Sequence, residues 1–202
     1  QNCKLILIAC NSASAVAYEL VKEYVGRKAI VMDVINPMID YLAKNYIDKT
    51  IGLIGTKQTV NSNIYRKKLD ELGINIRLNT LATPLLVPLI EEGFADQAIM
   101  TDAIKSYLSE SSLHNLDALV LACTHYPLIK QPIKQFFKNK TVIIDSTDIV
   151  AEVVKNLLIA RDLLSSPSSL SKKKFYVSDY TPAFSALTRL FFKMPILLER
   201  YP

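Results

Sequence analysis

The chain has few cysteines, three in 202 residues, at positions 3, 10 and 123. An odd count in a chain of this size argues against the disulfide framework of a small secreted domain and favours a reducing compartment, the cytoplasm. Neither a Cys-X-X-Cys pair nor a ligand spacing of zinc type occurs, so thiol-disulfide exchange and a metal centre are not expected. Apolar runs of the ~20 residues that a spanning helix requires are missing, which leaves no expectation of a membrane partner. The GxGxxG and Walker spacings are missing too, which disfavours a nucleotide. Blocks of one charge are also lacking. The 24 Lys and Arg against 19 Asp and Glu are dispersed, and the single basic run, Lys172 to Lys174, is too short to read as a nucleic-acid surface.

Half of the residues are hydrophobic, enough for a real core in one large α/β domain or two small ones. Apolar runs of strand length alternate with stretches of helical period, which predicts βα units around largely parallel sheets. Strands are expected at Leu5–Ala9, Ala29–Val34, Thr50–Ile54, Asn75–Leu81, Ala118–Ala122, Val142–Asp145 and Phe175–Ser178, with a last one near Ile196–Leu198. Helices are expected at Ala13–Tyr24, Met38–Asn45, Thr59–Leu72, Leu85–Glu92, Ala95–Ser109, Pro132–Phe137, Thr147–Ala160 and Pro182–Phe192. The Ser-rich stretch from Ser165 to Lys174 reads as an exposed loop, and Asn36-Pro37 as a break between strand and helix. These breaks suggest an outer lobe made of residues 1–35 and 147–202 around a central lobe of residues 36–146, with a site in the cleft between them.

Two segments repeat a pattern. "LILIACNSASA", Leu5 to Ala15, and "ALVLACTHYPLI", Ala118 to Ile129, each run from a buried-strand sequence into Ala-Cys and then two polar residues. In parallel α/β sheets ligands bind beyond the carboxyl ends of the strands, where backbone N–H groups point outward. A thiol there lies near a helix start, which stabilises thiolate and draws its pKa down toward neutrality. Either cysteine alone is equally compatible with packing, since free Cys is among the most buried residue types. The matched pair favours a proton transfer in which Cys10 and Cys123 act on opposite faces of one carbon. The lipoprotein-signal reading of "LIAC" is disfavoured because the apolar run is short and nearly the same string, "LVLAC", recurs deep in the chain.

The neighbouring residues suit a small carboxylate. Asn11 and Ser12 follow the first cysteine and Thr124 the second, all cap-type residues that accept or donate hydrogen bonds. "IGLIGTKQT" is another strand ending before a helix, with Thr56 and Thr59 as anion ligands or ordinary caps. His125 is placed to act on the Cys123 thiol, and Glu91, in "LLVPLIEEG", to tune His125 across the cleft. His114 lies in a polar loop and reads as solvated.

"IACNSASA" and "LACTHYPLI" resemble the paired cysteine motifs of the cofactor-independent aspartate/glutamate racemases, glutamate racemases in particular. "IGLIGTKQTVNSNIY", "TPLLVPLIEEG", "IDSTDIVAEVV" and "FYVSD" follow in that family's order. The resemblance implies two pseudosymmetric α/β lobes, no cofactor, glutamate as the small-molecule substrate, a homodimer, and D-glutamate for peptidoglycan. It assigns Cys10 and Cys123 as acid/base thiols, Glu91 as the carboxylate assisting His125, and Asn11, Ser12, Thr124 and His125 as substrate contacts. Ser12 stands where the family usually has threonine. The family's Asp-Ser-Gly loop and Tyr-Gly segment have no counterpart before Gln1, so the chain reads as a racemase without its N-terminal portion. The alternatives are a related aspartate or other amino-acid racemase, and a non-catalytic small-carboxylate-binding module.

Overall fold

A computed structural model describes residues 3–165, 172–179, 188, 191–192 and 194–201. β1 (Leu5–Ile8) pairs in parallel with β2 (Ile30–Asp33), and α1 (Asn11–Val25) forms the crossover between them. Gly26 closes that helix at φ 55°, in the left-handed region that glycine adopts without a Cβ clash. A second, four-stranded sheet is built from β3 (Thr50–Gly55), β4 (Arg77–Ala82), β5 (Ala118–Ala122) and β6 (Val142–Asp145), in the spatial order β4-β3-β5-β6. All of its pairings are parallel, with Gly55 of β3 opposite Ala82 on one side and Ala122 on the other. A short parallel pair, β7 (Phe175–Val177) and β8 (Leu198–Arg200), completes the strands among the described residues.

Strands buried on both faces read as continuous apolar runs, and "ALVLA" of β5 is buried at every position. Alternate side chains nevertheless serve different cores. Leu119 and Leu121 join Ile54 against Leu86 and Ile90 of α5 (Leu86–Glu91) and Met100 and Ile104 of α6 (Ala98–Leu108). Ala118, Val120 and Ala122 face the other way with Ile51 and Leu53. They meet Met38 and Leu42 of α2 (Ile35–Asn45) and Tyr65 and Leu69 of α4 (Ile64–Glu71). The fold is therefore the expected one, parallel sheets flanked by helices.

Several element limits differ from expectation for local reasons. Asn36-Pro37 does not break the chain ahead of α2. The helix starts at Ile35, so Pro37 falls in the first turn, where a backbone N–H has no intrahelical partner to lose. Asp33 Oδ1 accepts both the Asn36 backbone N–H at 3.1 Å and its side-chain amide at 2.8 Å, which fastens this turn to the end of β2. The single helix expected over Thr59–Leu72 is two, α3 (Lys57–Asn61) and α4, because Asn63 takes left-handed backbone at φ 55° between them. Asn tolerates that conformation better than most residues. Pro132 lies inside α7 (Lys130–Phe136), again in a first turn. α8 (Ser146–Ala160) is capped by Asp145, whose side chain accepts the Thr147 N–H at 3.0 Å and pairs with Lys130. Of the helix expected at Pro182–Phe192 and the loop at Ser165–Lys174, residues 166–171, 180–187 and 189–190 lie outside the described residues.

Gly52 fixes how closely β3 approaches the core. A Cβ there would stand 2.4 Å from Leu116 Cδ1 and 2.9 Å from Leu119 Cδ1. Gly52→Ala should therefore destabilise the protein by about 1–3 kcal/mol, read as a lowered urea midpoint at unchanged slope. An unchanged midpoint would mean that the leucines yield freely.

Candidate active site

The two thiol segments leave their sheets at carboxyl ends of strands. Cys10 follows β1 and takes extended backbone (φ −138°, ψ 125°) as the N-cap of α1, which begins at Asn11 rather than at the expected Ala13. The Ser14 hydroxyl donates back to Ile8 O at 3.1 Å and the Ser14 N–H to Cys10 O at 2.8 Å, so strand end and first turn are held as one piece. Cys10 is exposed. Ser12, two residues on, carries the link to the other sheet. Its hydroxyl lies 2.7 Å from Thr56 Oγ1 and 3.1 Å from Thr59 Oγ1, and these two are 3.2 Å apart. Thr56 is also the N-cap of α3, accepting the Thr59 N–H at 3.2 Å. Three hydroxyls from two segments thus meet at the end of β3, and Thr56 is the cap that one of its two readings makes it.

The second thiol enters from the adjacent strand. Gly55 pairs with Ala122, the residue before Cys123, and a Cβ on Gly55 would stand 3.2 Å from Ala122 O. Glycine therefore allows the Thr56 turn and the Cys123 turn to lie side by side. Below them, the Tyr126 ring is fully buried, with its hydroxyl 2.7 Å from Thr83 Oγ1. Thr83 in turn donates its N–H to Gly55 O at 2.9 Å. Cys123 itself is 8% exposed.

Burial pushes the Cys123 thiol up to about 11. The backbone N–H groups of His125 and Tyr126 pull the other way, and negative charge on Cys10 and Glu91 adds to the rise. For Cys123 this corrects the expectation that a helix start would draw the thiol toward neutrality. A 3₁₀ turn, Tyr126–Ile129, follows Cys123 in place of an α-helix, and its N–H groups do not offset the loss of water. Ser12, two residues after Cys10, meets Thr56, and Gly55 beside Thr56 pairs with Ala122 beside Cys123, so the turns that carry the two thiols adjoin one another.

His125 stands between Cys123 and a carboxylate. Its Nδ1 is 3.9 Å from Cys123 Sγ, and its Nε2 is 3.1 Å from Glu91 Oε1 at the end of α5. A proton on Nε2 directed at Glu91 leaves Nδ1 as an acceptor toward the thiol. The Phe191 ring lies edge-on to the imidazole, with centroids 6.0 Å apart. Asn11 is buried; its Oδ1 accepts the Tyr65 hydroxyl at 2.7 Å, and its Nδ2 has no hydrogen-bond partner among the described residues. Thr124 lines a neighbouring cavity of about 280 Å³ with Ala9, Val34, Ser146 and Thr147, between the two thiol-bearing strands and α8. The structure thus joins Ser12 with Thr56 and Thr59, and Cys123 with His125 and Glu91, while Thr124 belongs to the lining of the neighbouring cavity. Tyr65, Thr83 and Tyr126 support the site without having been singled out. Tyr65 alone carried a signal, the pairing with Leu69 at i, i+4 on a buried helix face. Among the described residues, no group of His, Cys, Asp and Glu is placed to hold a metal, and no helix is long and apolar enough to cross a membrane.

Thiols that follow two parallel strands, with a His–Glu pair beside one of them, gather acid/base groups at strand ends, as enzymes that act on small molecules do. The family model for Asp/Glu/Hydantoin racemases matches residues 1–154, and the chain belongs to that family, whose members are isomerases. The glutamate racemase of Chlorobium phaeobacteroides is 36% identical over 188 residues, 93% of this chain and 69% of that one. The glutamate racemase of Francisella tularensis, solved in complex with D-glutamate, superposes with a TM-score of 0.85 at 32% identity, covering 98% of this chain and 73% of that one. The RacE1 glutamate racemase of Bacillus anthracis gives 0.87 at 28% identity, covering 98% and 74%.

The environment of Cys123 makes its labelling order readable. Iodoacetamide should modify the exposed Cys3 and Cys10 well before Cys123 near neutral pH. The Cys123 rate should climb about tenfold per pH unit until about pH 11, followed by peptide mass spectrometry. Equal labelling of all three at pH 7.5 would contradict the burial that raises Cys123.

Proposed function

We propose that this chain interconverts L- and D-glutamate by proton transfer at Cα between Cys10 and Cys123. The observation that carries the reading is the meeting of Ser12, two residues after Cys10, with Thr56 and Thr59 at the end of the strand that pairs with the Cys123 strand. In each turnover the Cα–H bond breaks, its proton passes to the sulfur of one cysteine as thiolate, and its electron pair stays on the carbon. The other cysteine's S–H delivers its proton to the opposite face, so the enzyme ends with the thiolate and thiol exchanged. Charge balances without a redox partner, and no cofactor is required by the step.

The surrounding groups have separable tasks in this reading. Cys123, held protonated by burial, is the proton donor when Cys10 is the base. In the reverse direction His125 accepts from Cys123 through Nδ1 while Glu91 stabilises the imidazolium. Ser12, Thr56 and Thr59 supply hydroxyl donors for a carboxylate, Asn11 an amide donor, and Thr124 a further contact on the Cys123 side. Boundaries near residues 36 and 146 divide the chain into a central and an outer lobe that bear one thiol each. The enzyme works in the cytoplasm as a homodimer, and its D-glutamate enters peptidoglycan.

The test uses the protein expressed from its complete reading frame with either glutamate enantiomer in deuterated water. Deuterium should appear at Cα together with racemization, and Cys10→Ala or Cys123→Ala should each lower kcat/KM by about 10²–10⁴-fold. Racemization without deuterium uptake would sink the mechanism, and faster turnover of aspartate than of glutamate would sink the substrate. Glu91→Gln should cost about tenfold in kcat, more in the direction that uses Cys123 as base.

A further inference from the structure

The Asn11 amide is satisfied on one side only. Its oxygen accepts the Tyr65 hydroxyl at 2.7 Å, whereas its nitrogen is buried with no acceptor among the described residues. Asn11 is 2% exposed and Tyr65 3%, so water does not serve as the missing partner for either. Turning the amide over would leave two groups unmatched in place of one. The phenol oxygen would accept from Nδ2, its O–H would lose its acceptor, and Oδ1 would be left without a donor. A buried donor left unmade is destabilising, a cost that an acceptor from outside the chain removes.

We propose that Tyr65 is a positioning residue that fixes the polarity of the Asn11 amide, presenting Nδ2 as a donor to a carboxylate oxygen of the substrate. This rests on the reading of Asn11 as a substrate contact and adds what makes that contact selective. A donor-only face binds a carboxylate and repels the ammonium of an amino acid, so it sets which way round the substrate lies between the thiols. The hold is firm for structural reasons. Tyr65 sits on α4 with its ring packed among Met38, Leu69 and Val120. Burial, together with the nearby Asp33 carboxylate, raises the phenol well above the ordinary tyrosine range, so the O–H stays a donor.

The test compares four variants of the protein expressed from its complete reading frame, each with thermal melting and glutamate kinetics. Asn11→Ala should raise the KM for glutamate at least tenfold. Tyr65→Phe should raise KM about tenfold with kcat within about threefold of the parent, and should add less than about twofold in an Asn11→Ala background. Asn11→Asp keeps the oxygen that Tyr65 requires but replaces the donor, so KM should rise at least tenfold, while the buried carboxyl group lowers the melting temperature. If Asn11→Ala leaves KM unchanged, the substrate-contact reading fails and the proposal with it. If Asn11→Ala raises KM but Tyr65→Phe lowers only the melting temperature, or if the two effects add, the contact stands and the positioning role is wrong. If Tyr65→Phe does not fold, Asn11→Asp decides: a parent-like KM overturns the donor polarity, a raised one upholds it.

Discussion

Three hydroxyls in mutual hydrogen-bond contact, Ser12 with Thr56 and Thr59, join a turn of the two-stranded sheet to a turn of the four-stranded sheet. Nothing covalent requires those turns to meet, and the thiol chemistry depends on their meeting. Cys10 is two residues from Ser12, and Cys123 follows the strand residue paired with Gly55, the neighbour of Thr56. The cluster therefore sets the turn that bears the first thiol beside the turn that bears the second. Hydroxyls suit this junction because each both donates and accepts, so the same groups can exchange partners with a bound carboxylate without leaving an orphan.

The second half of the site is a balance between desolvation and donors. Cys123 lies under the turn that carries His125, and two backbone N–H groups point at its sulfur, yet loss of water outweighs them. A fully exposed thiol there would titrate closer to its ordinary value. The chain Cys123–His125–Glu91 extends from a buried sulfur to a half-exposed carboxylate, which gives a proton a route between interior and surface. The imidazole is steadied from beyond the sheet by Phe191, a residue remote in sequence.

Much of this was legible beforehand because parallel strands buried on both faces write themselves as unbroken apolar runs. β1, β3, β5 and β6 were placed to within a residue or two, and the Ala-Cys repeat marked their functional ends. Glu91 and His125 were paired on the strength of motif and residue type, and they lie 3.1 Å apart. Other features were hidden. The break at Asn63 is a single backbone choice within a stretch of continuous helical period, and Pro37 looked like a terminator because its place relative to the first turn is not visible in composition. The support given by Tyr65, Thr83 and Tyr126 joins residues 43 or more positions apart, and no local pattern announces a partner at that range.

By itself the sequence determined which segments become buried strands, where each ends in a thiol, and which polar residue types crowd those ends, since these follow from hydrophobic periodicity and chain order alone. Tertiary structure decided how the ends are arranged against one another. It set which hydroxyls share hydrogen bonds, which side of the Asn11 amide is occupied, and that one cysteine is exposed while the other is buried and hard to ionise. Dielectric surroundings and hydrogen-bond partners are properties of packing between distant segments, and they exist only once the chain has closed upon itself.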